Sequence, residues 1–315
     1  MAIRVAATLR VADHIAAGRV SVDSLASLVG ADRDALGRVL AHLVGVGVLS
    51  SSSPGVFGLT GVGEQLRSDH PGGVRDWLDL EGAVGYADLC LVHLLHTVRT
   101  GEPAFPRQFG VSFWDDLSAD SARSASFDAL MGGRLVSAAA EVASAYPWGS
   151  LGSVVDVGGG NGSLLIAVLL AHSGLRGTVV DLAGPVGRAS VAFEAAGLSG
   201  RASVVAGSFF DPLPGGAGGY ILSGVLHDWD DADASRILTR CAEAASGSGK
   251  VLLVDHVEPA QGASDTGMDL RMLSYFCGRE RSFDELRELA ARAGLSVTAV
   301  VPAGSRSVVE LSVSS

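Results

Sequence analysis

Lysine is almost absent from this 315-residue chain: Lys250 stands alone among 23 lysines and arginines. That bias fits a GC-rich genome and carries no functional reading. Cysteine is also scarce. Cys90, Cys241 and Cys277 lie far apart, odd in number and without CxxC spacing. This excludes a disulfide framework and a zinc site, and it is expected of a protein in the reducing cytoplasm. Long apolar runs are missing too. The longest, Leu164 to Ala171, is far short of the ~20 residues a membrane span needs, and charges throughout the first 30 residues exclude a secretory leader. Excess positive charge is lacking as well. A net charge of −11 opposes general attraction to nucleic acid or anionic membranes, so neither is an expected partner.

What is present is a globular, slightly apolar composition, 48% hydrophobic and 18% charged, long enough for two domains. Residues 6–17, 21–29 and 32–46 have helical apolar spacing, with Asp32 placed to cap the third. Two short β segments follow, around 47–49 and 56–60, which makes a winged helix. Residues 1–70 hold six arginines and six acids, so the recognition helix lacks the basic excess that DNA binding needs. Packing or dimerisation is the better reading. Residues 74–146 read as helical, with breaks at 101–103 and 106–107, and collect Trp77, Tyr86, Phe105, Phe109, Phe113, Trp114, Phe127 and Met131. Such a cluster is either plain core or the roof over a flat ligand.

From Ser153 onward, short β-branched runs alternate with helical stretches: 154–157, 178–180, 203–205, 220–222 and 251–254. That alternation predicts a doubly wound, mostly parallel sheet, and the closely spaced runs 297–301 and 308–313 add an antiparallel hairpin to make seven strands. The expected organisation is a dimerisation domain over 1–72, a helical linker and substrate lid over 73–147, and a catalytic α/β domain over 148–315.

The glycine loop Asp156-Val157-Gly158-Gly159-Gly160-Asn161-Gly162 follows the first strand of that domain. Its GxGxG spacing differs from the dinucleotide GxGxxG, and Asp156 is placed to act on a ligand's cationic end. Asp181 closes the second strand beside Leu182; it suits ribose hydroxyls or a helix cap. Phe209 is either an adenine platform or core. His227, in LHDWDD at the end of the fourth strand, has the residue type and place of a general base. Asp255 and Glu280 lie downstream as acids able to orient its ring.

Six motifs in order, DVGGGNG, VVDL, GSFFDPLP, LHDWDD, GKVLLVDH and GRERSFDEL, resemble the plant-type and bacterial small-molecule O-methyltransferases, the group with caffeate, flavonoid and antibiotic-pathway enzymes. The stretches HTVRTG and FWDDL resemble the bacterial members, so the likeness spans nearly the whole chain. It implies a class I methyltransferase fold, an S-adenosylmethionine cofactor that leaves as S-adenosylhomocysteine, no metal, and a homodimer interlocked through its N-terminal helices. It implies that Gly158, Gly160, Asp181 and Leu182 hold the cofactor's methionine and ribose portions. Ser208 and Phe209 stand where the family has an acid, usually Asp, and an apolar residue around adenine; Trp229 would pack beside that ring, and Ser223 stands where plant members often carry lysine. His227 matches the general base, and Asp255 and Glu280 its supporting acids. Trp114, Met131, Met272, Tyr275 and Phe276 are the expected walls for an aromatic secondary metabolite, polyketide- or naphthoate-derived, with Arg10 reaching from a partner chain to a substrate carboxylate. Three rivals remain at this level: a nicotinamide-dependent reductase, a winged-helix ligand-sensing regulator, and a cofactor-binding hydroxylase or decarboxylase on the same fold.

Overall fold

The computed structural model describes residues 1–256 and 266–314, with side chains throughout except at 134–137. The chain divides into two compact units, Met1–Leu89 and Cys90–Ser315, and the helices of 74–146 are shared between them.

In the first unit, helix Val22–Val29 is capped by Ser21, whose hydroxyl accepts from Ser24 N, and helix Arg33–Gly45 by Asp32, which accepts from Ala35 N at 2.8 Å. Strands β1 (Leu49–Ser53) and β2 (Val56–Leu59) pair antiparallel, and Ser21 bridges to Val56, completing the expected winged helix. Leu25, Leu36, Leu40, Leu43 and Phe57 fill its core. The helix expected over 6–17 is instead two, Ala2–Thr8 and Val11–Ala16. Arg10 between them has φ 51°, the left-handed region that a helix does not pass through. Apolar periodicity survives such a break, which is why it was invisible in the pattern.

The second unit carries a seven-stranded sheet: β3 (Ser153–Val157), β4 (Arg176–Asp181), β5 (Ala202–Ala206), β6 (Gly219–Ser223), β7 (Lys250–Asp255), β8 (Leu295–Ala303) and β9 (Arg306–Val313). The order is β5-β4-β3-β6-β7-β9-β8, parallel except for β9, which runs antiparallel to both neighbours. This is the predicted doubly wound sheet with its terminal hairpin. Alternate strand residues enter two separate cores: Val154, Val179, Ile221 and Leu252 pack on one face, Val155, Val180, Tyr220 and Leu253 on the other. The period-2 geometry of a strand requires this when helices cover both faces. Chain order reverses between β3 and β6, and the crevice of an open α/β sheet lies at that switch point, beyond the carboxyl ends of the strands.

Gly101 ends helix Leu94–Thr100 as expected. Pro106, expected as a break, sits instead in the first turn of helix Ala104–Phe109, where its missing N–H costs no intrahelical bond. Among the described residues no helix is long and apolar enough to cross a membrane.

The Asp32 cap gives the first test. Asp32→Ala should lower the stability of the N-terminal unit by about 1 kcal/mol and speed amide exchange in the first turn of helix Arg33–Gly45. Unchanged exchange there would show that packing alone sets that helix end.

Candidate active site

The glycine loop leaves β3 at the switch point. Gly158 has φ 72°, and a Cβ there would stand 2.8 Å from Val225 Cγ2, so only glycine fits. Beneath the loop, Asp156 is 1% exposed, and neither of its carboxylate oxygens has a hydrogen-bond partner among the described residues. Burial, with Asp181 nearby, pushes its carboxyl up to about 7. A buried carboxylate left unpartnered is costly, and a cationic ligand group above the loop would offset that cost. Asp181 accepts from Gly160 N at 2.8 Å and from Leu182 N at 2.7 Å, tying the end of β4 to the loop. Burial raises its pKa and these two bonds lower it. The helix that follows takes Leu182 as its N-cap, so Asp181 precedes the cap and is not it.

The aromatic residues from Phe105 to Phe127 form one connected group with Phe209, Trp229, Tyr275 and Phe276, while Trp77 and Tyr86 lie in the first unit. Trp114 stacks on Phe276 at 5.2 Å and on Trp229 at 6.3 Å, Tyr275 stacks on Phe113 at 5.6 Å, and Phe209 meets Trp229 edge-on at 5.7 Å. The indole nitrogens of Trp114 and Trp229 and the Ser223 hydroxyl are buried without a partner among the described residues. Ser208 turns inward on its own backbone, accepting from Phe210 N at 3.2 Å. Met272 is buried with Tyr275 on helix Thr266–Phe276. Met131 is half-buried on helix Ser121–Ala145, next to Gly132, where a Cβ would stand 2.8 Å from the Asn161 amide of the glycine loop. Arg10 is exposed in the first unit, and its side chain has no partner among the described residues.

His227 lies on the 3-10 turn Leu226–Asp228 just past β6. Its Nδ1 is 3.0 Å from Glu280 Oε1, and its Nε2 is 3.5 Å from Asp228 Oδ1, too far for a hydrogen bond of ordinary strength. Burial alone would lower the imidazole's pKa. The carboxylates of Asp228, Glu280 and Asp255 outweigh it and push the ring up to about 10. Burial in turn pushes Asp228 up to about 7, against the pull of His227. Asp255, at the end of β7, bonds His256 N at 2.9 Å and acts on His227 through charge alone. Asp228 is the acid nearest Nε2, and the sequence reading passed over it; its place beside His227 in the LHDWDD run was the available signal.

The segment 278–281 carries more than Glu280. A Cβ on Gly278 would stand 2.1 Å from His227 O and 2.9 Å from Asp228 Cα, so the chain there rests directly on the backbone of the histidine turn. Glu280 N donates to Asp269 Oδ1 at 2.9 Å, anchoring the same segment to helix Thr266–Phe276.

A family model described as the O-methyltransferase domain matches residues 91–296, and one described as the O-methyltransferase dimerisation domain matches residues 1–69. The chain belongs to the O-methyltransferase family. It is 57% identical to a 2,7-dihydroxy-5-methyl-1-naphthoate 7-O-methyltransferase from Streptomyces carzinostaticus, an alignment covering 99% of this chain and 93% of that protein. The crystal structure of an O-methyltransferase from neocarzinostatin biosynthesis, in complex with S-adenosylmethionine and 2-hydroxy-5-methyl naphthoic acid, superposes with a TM-score of 0.95 at 57% identity, covering 99% of this chain and 95% of that one. An aclacinomycin 10-hydroxylase from Streptomyces purpurascens is 44% identical over 97% of this chain and 83% of its own length. Family membership removes the reductase and regulator readings: the chain is an enzyme that transfers methyl groups to oxygen.

Two outcomes test the geometry. Because carboxylates raise His227, kcat/KM should climb with pH from neutrality toward about 10 as the ring loses its proton. Glu280→Gln removes one of those charges and should move the limb to lower pH while lowering its plateau. An immobile limb would assign it to ionisation of the acceptor. By linkage, the stability His227 gains from these carboxylates is complete below its unfolded value of ~6.5 and is lost as pH rises through about 10. Gly278→Ala should lower kcat by ~10²-fold through displacement of the turn. Wild-type turnover in that variant would show that the contact yields without moving His227.

Proposed function

We propose that the protein transfers the methyl group of S-adenosylmethionine to a phenolic hydroxyl of an aromatic acid of the naphthoate class, working as a homodimer. The observation that carries this reading is the arrangement of His227: Nδ1 is tied to Glu280 at 3.0 Å, Nε2 is left without a bond of ordinary strength, and the ring lies at the sheet edge that also holds the unpartnered Asp156.

The residues around the glycine loop suit the cofactor. Asp156 offers a buried negative charge to its cationic end, Gly158 and Gly160 let the backbone come close, and Asp181 with Leu182 supplies the ribose contact. Phe209 and Trp229 offer apolar faces to adenine, with Ser208 and Ser223 at the margin. The bound cofactor supplies an already activated methyl carbon, so the protein's task is to align an oxygen and make it nucleophilic. A phenol with a pKa of ~10 is little ionised at neutral pH. His227 Nε2 takes its proton, Glu280 holds the tautomer and stabilises the imidazolium as it forms, and Asp228 and Asp255 add negative charge around the ring. The same carboxylates keep a proton on His227 near neutrality, so the rate follows the neutral fraction. Trp114, Phe276, Tyr275, Met272 and Met131 make a flat, adaptable wall for a fused ring. The exposed Arg10, on the unit that matches the dimerisation model, is suited to meet the acceptor's carboxylate in the partner's site.

The test uses S-adenosylmethionine and 2,7-dihydroxy-5-methyl-1-naphthoate, with product mass as readout. The wild-type protein should form a methyl ether, and His227→Ala should cut kcat by ~10²–10⁴-fold with unchanged calorimetric affinity for S-adenosylhomocysteine. Arg10→Ala should raise KM for the acceptor. Near-normal turnover by His227→Ala would reduce catalysis to positioning; gain of oxygen in place of methyl would move the chain to the hydroxylase chemistry of its 44% identical relative.

A further inference from the structure

The turn that carries His227 is closed by long backbone bonds. Leu226–Asp228 is a single 3-10 turn whose closing bonds, Asp228 N to Val225 O and Trp229 N to Leu226 O, are 3.2 and 3.3 Å long, and short 3-10 runs have poor bond geometry. A residue far along the chain grips both ends of this turn. Arg281 is 7% exposed, and its Nη1 donates to Leu226 O at 2.6 Å while its Nη2 donates to Trp229 O at 2.8 Å. The guanidinium is aimed by one carboxylate: Nε and Nη2 both donate to Asp231 Oδ1, at 3.1 and 2.9 Å. Asp231 opens helix Asp231–Ala244, which packs under the sheet, so the clamp is anchored to a rigid element. A buried guanidinium is costly unless its donors are used, and here the planar fork spans two carbonyls and a carboxylate, which an ammonium point charge would not do.

We propose that Arg281 is a positioning residue for His227: by binding the carbonyls of Leu226 and Trp229 it fixes the turn that aims the imidazole. With Glu280 on Nδ1 and Gly278 seated on the turn's backbone, the segment 278–281 sets three coordinates of one ring: its height, its rotation and the path of the chain on either side. Arg281 touches neither nitrogen of the imidazole and acts through the backbone. The consequence for rate rests on the base role proposed above for His227; the consequence for the ring's surroundings does not. Among the described residues, Asp228, Asp255 and Glu280 raise the ring's pKa, with His256, Arg279 and Arg281 lining the same recess, and the effect of all of them depends on where the turn holds the ring.

The experiment compares wild type, Arg281→Met, Arg281→Lys and Asp231→Asn in the full chain by steady-state kinetics with S-adenosylmethionine and the naphthoate above, and by NMR titration of the His227 ring. Arg281→Met should lower kcat ~10–10²-fold with KM for S-adenosylmethionine unchanged, and shift the His227 titration down from about 10 toward the ordinary histidine value. Arg281→Lys should recover part of both, and Asp231→Asn should move both in the same direction by less. If Arg281→Met does not fold, the other two variants decide. A lowered kcat with an unmoved His227 titration overturns the proposal, as does a normal kcat with a normal titration. If the wild-type protein methylates no hydroxyl, the proposed function falls, and the ring titration alone still decides whether Arg281 holds the turn.

Discussion

The site depends on one half-buried polar contact, the imidazole of His227 against the carboxylate of Glu280. Each group loses part of its hydration there, and the pair offsets that loss because its members satisfy one another. The contact also decides chemistry. A ring whose Nδ1 is committed has one nitrogen left to accept a proton, and surrounding it with Asp228 and Asp255 makes that nitrogen strongly basic. That basicity keeps a proton on the ring near neutral pH, and under the base role proposed for His227 it couples rate to pH through the same carboxylates that orient the ring.

Much of the second unit serves that contact. β6 delivers the histidine turn to the switch point, helix Asp231–Ala244 roots Asp231, and the connection between helix Thr266–Phe276 and helix Phe283–Arg292 brings Gly278, Glu280 and Arg281 to the same turn. Ser282 and Glu285 cap the last of these helices reciprocally, which fixes the end of the connecting segment one residue beyond Arg281. The glycine loop and its unpartnered Asp156 belong to the other half of the site, reached from β3. The doubly wound order brings the two halves to one edge, since the strands adjacent at the switch point are those whose loops turn apart.

The N-terminal unit shows composition limiting function without revealing geometry. Equal numbers of arginines and acids argued against a DNA-binding role for a winged helix, and the matched family model is a dimerisation domain. The break at Arg10 lay outside what composition or periodicity reports, because a left-handed residue between two helices leaves the apolar spacing on both sides intact.

The sequence by itself determined the alternation of strands and helices, the terminal hairpin and the Asp32 cap of the winged helix, and it singled out His227, Glu280, Asp156 and the glycine loop as candidates. These are local matters: strand period, cap chemistry and turn residues act over a few positions, and the order of motifs along the chain is a linear property. Only the tertiary structure decided that Glu280 bonds the ring while Asp255 does not, that Asp228 is the acid nearest Nε2, and that Gly278 and Arg281 bear on the histidine turn from about 50 positions away. The physical reason is that GRER reads as a charged surface run until folding buries Arg281. Hydrogen bonds between distant segments leave no periodicity in the chain that makes them.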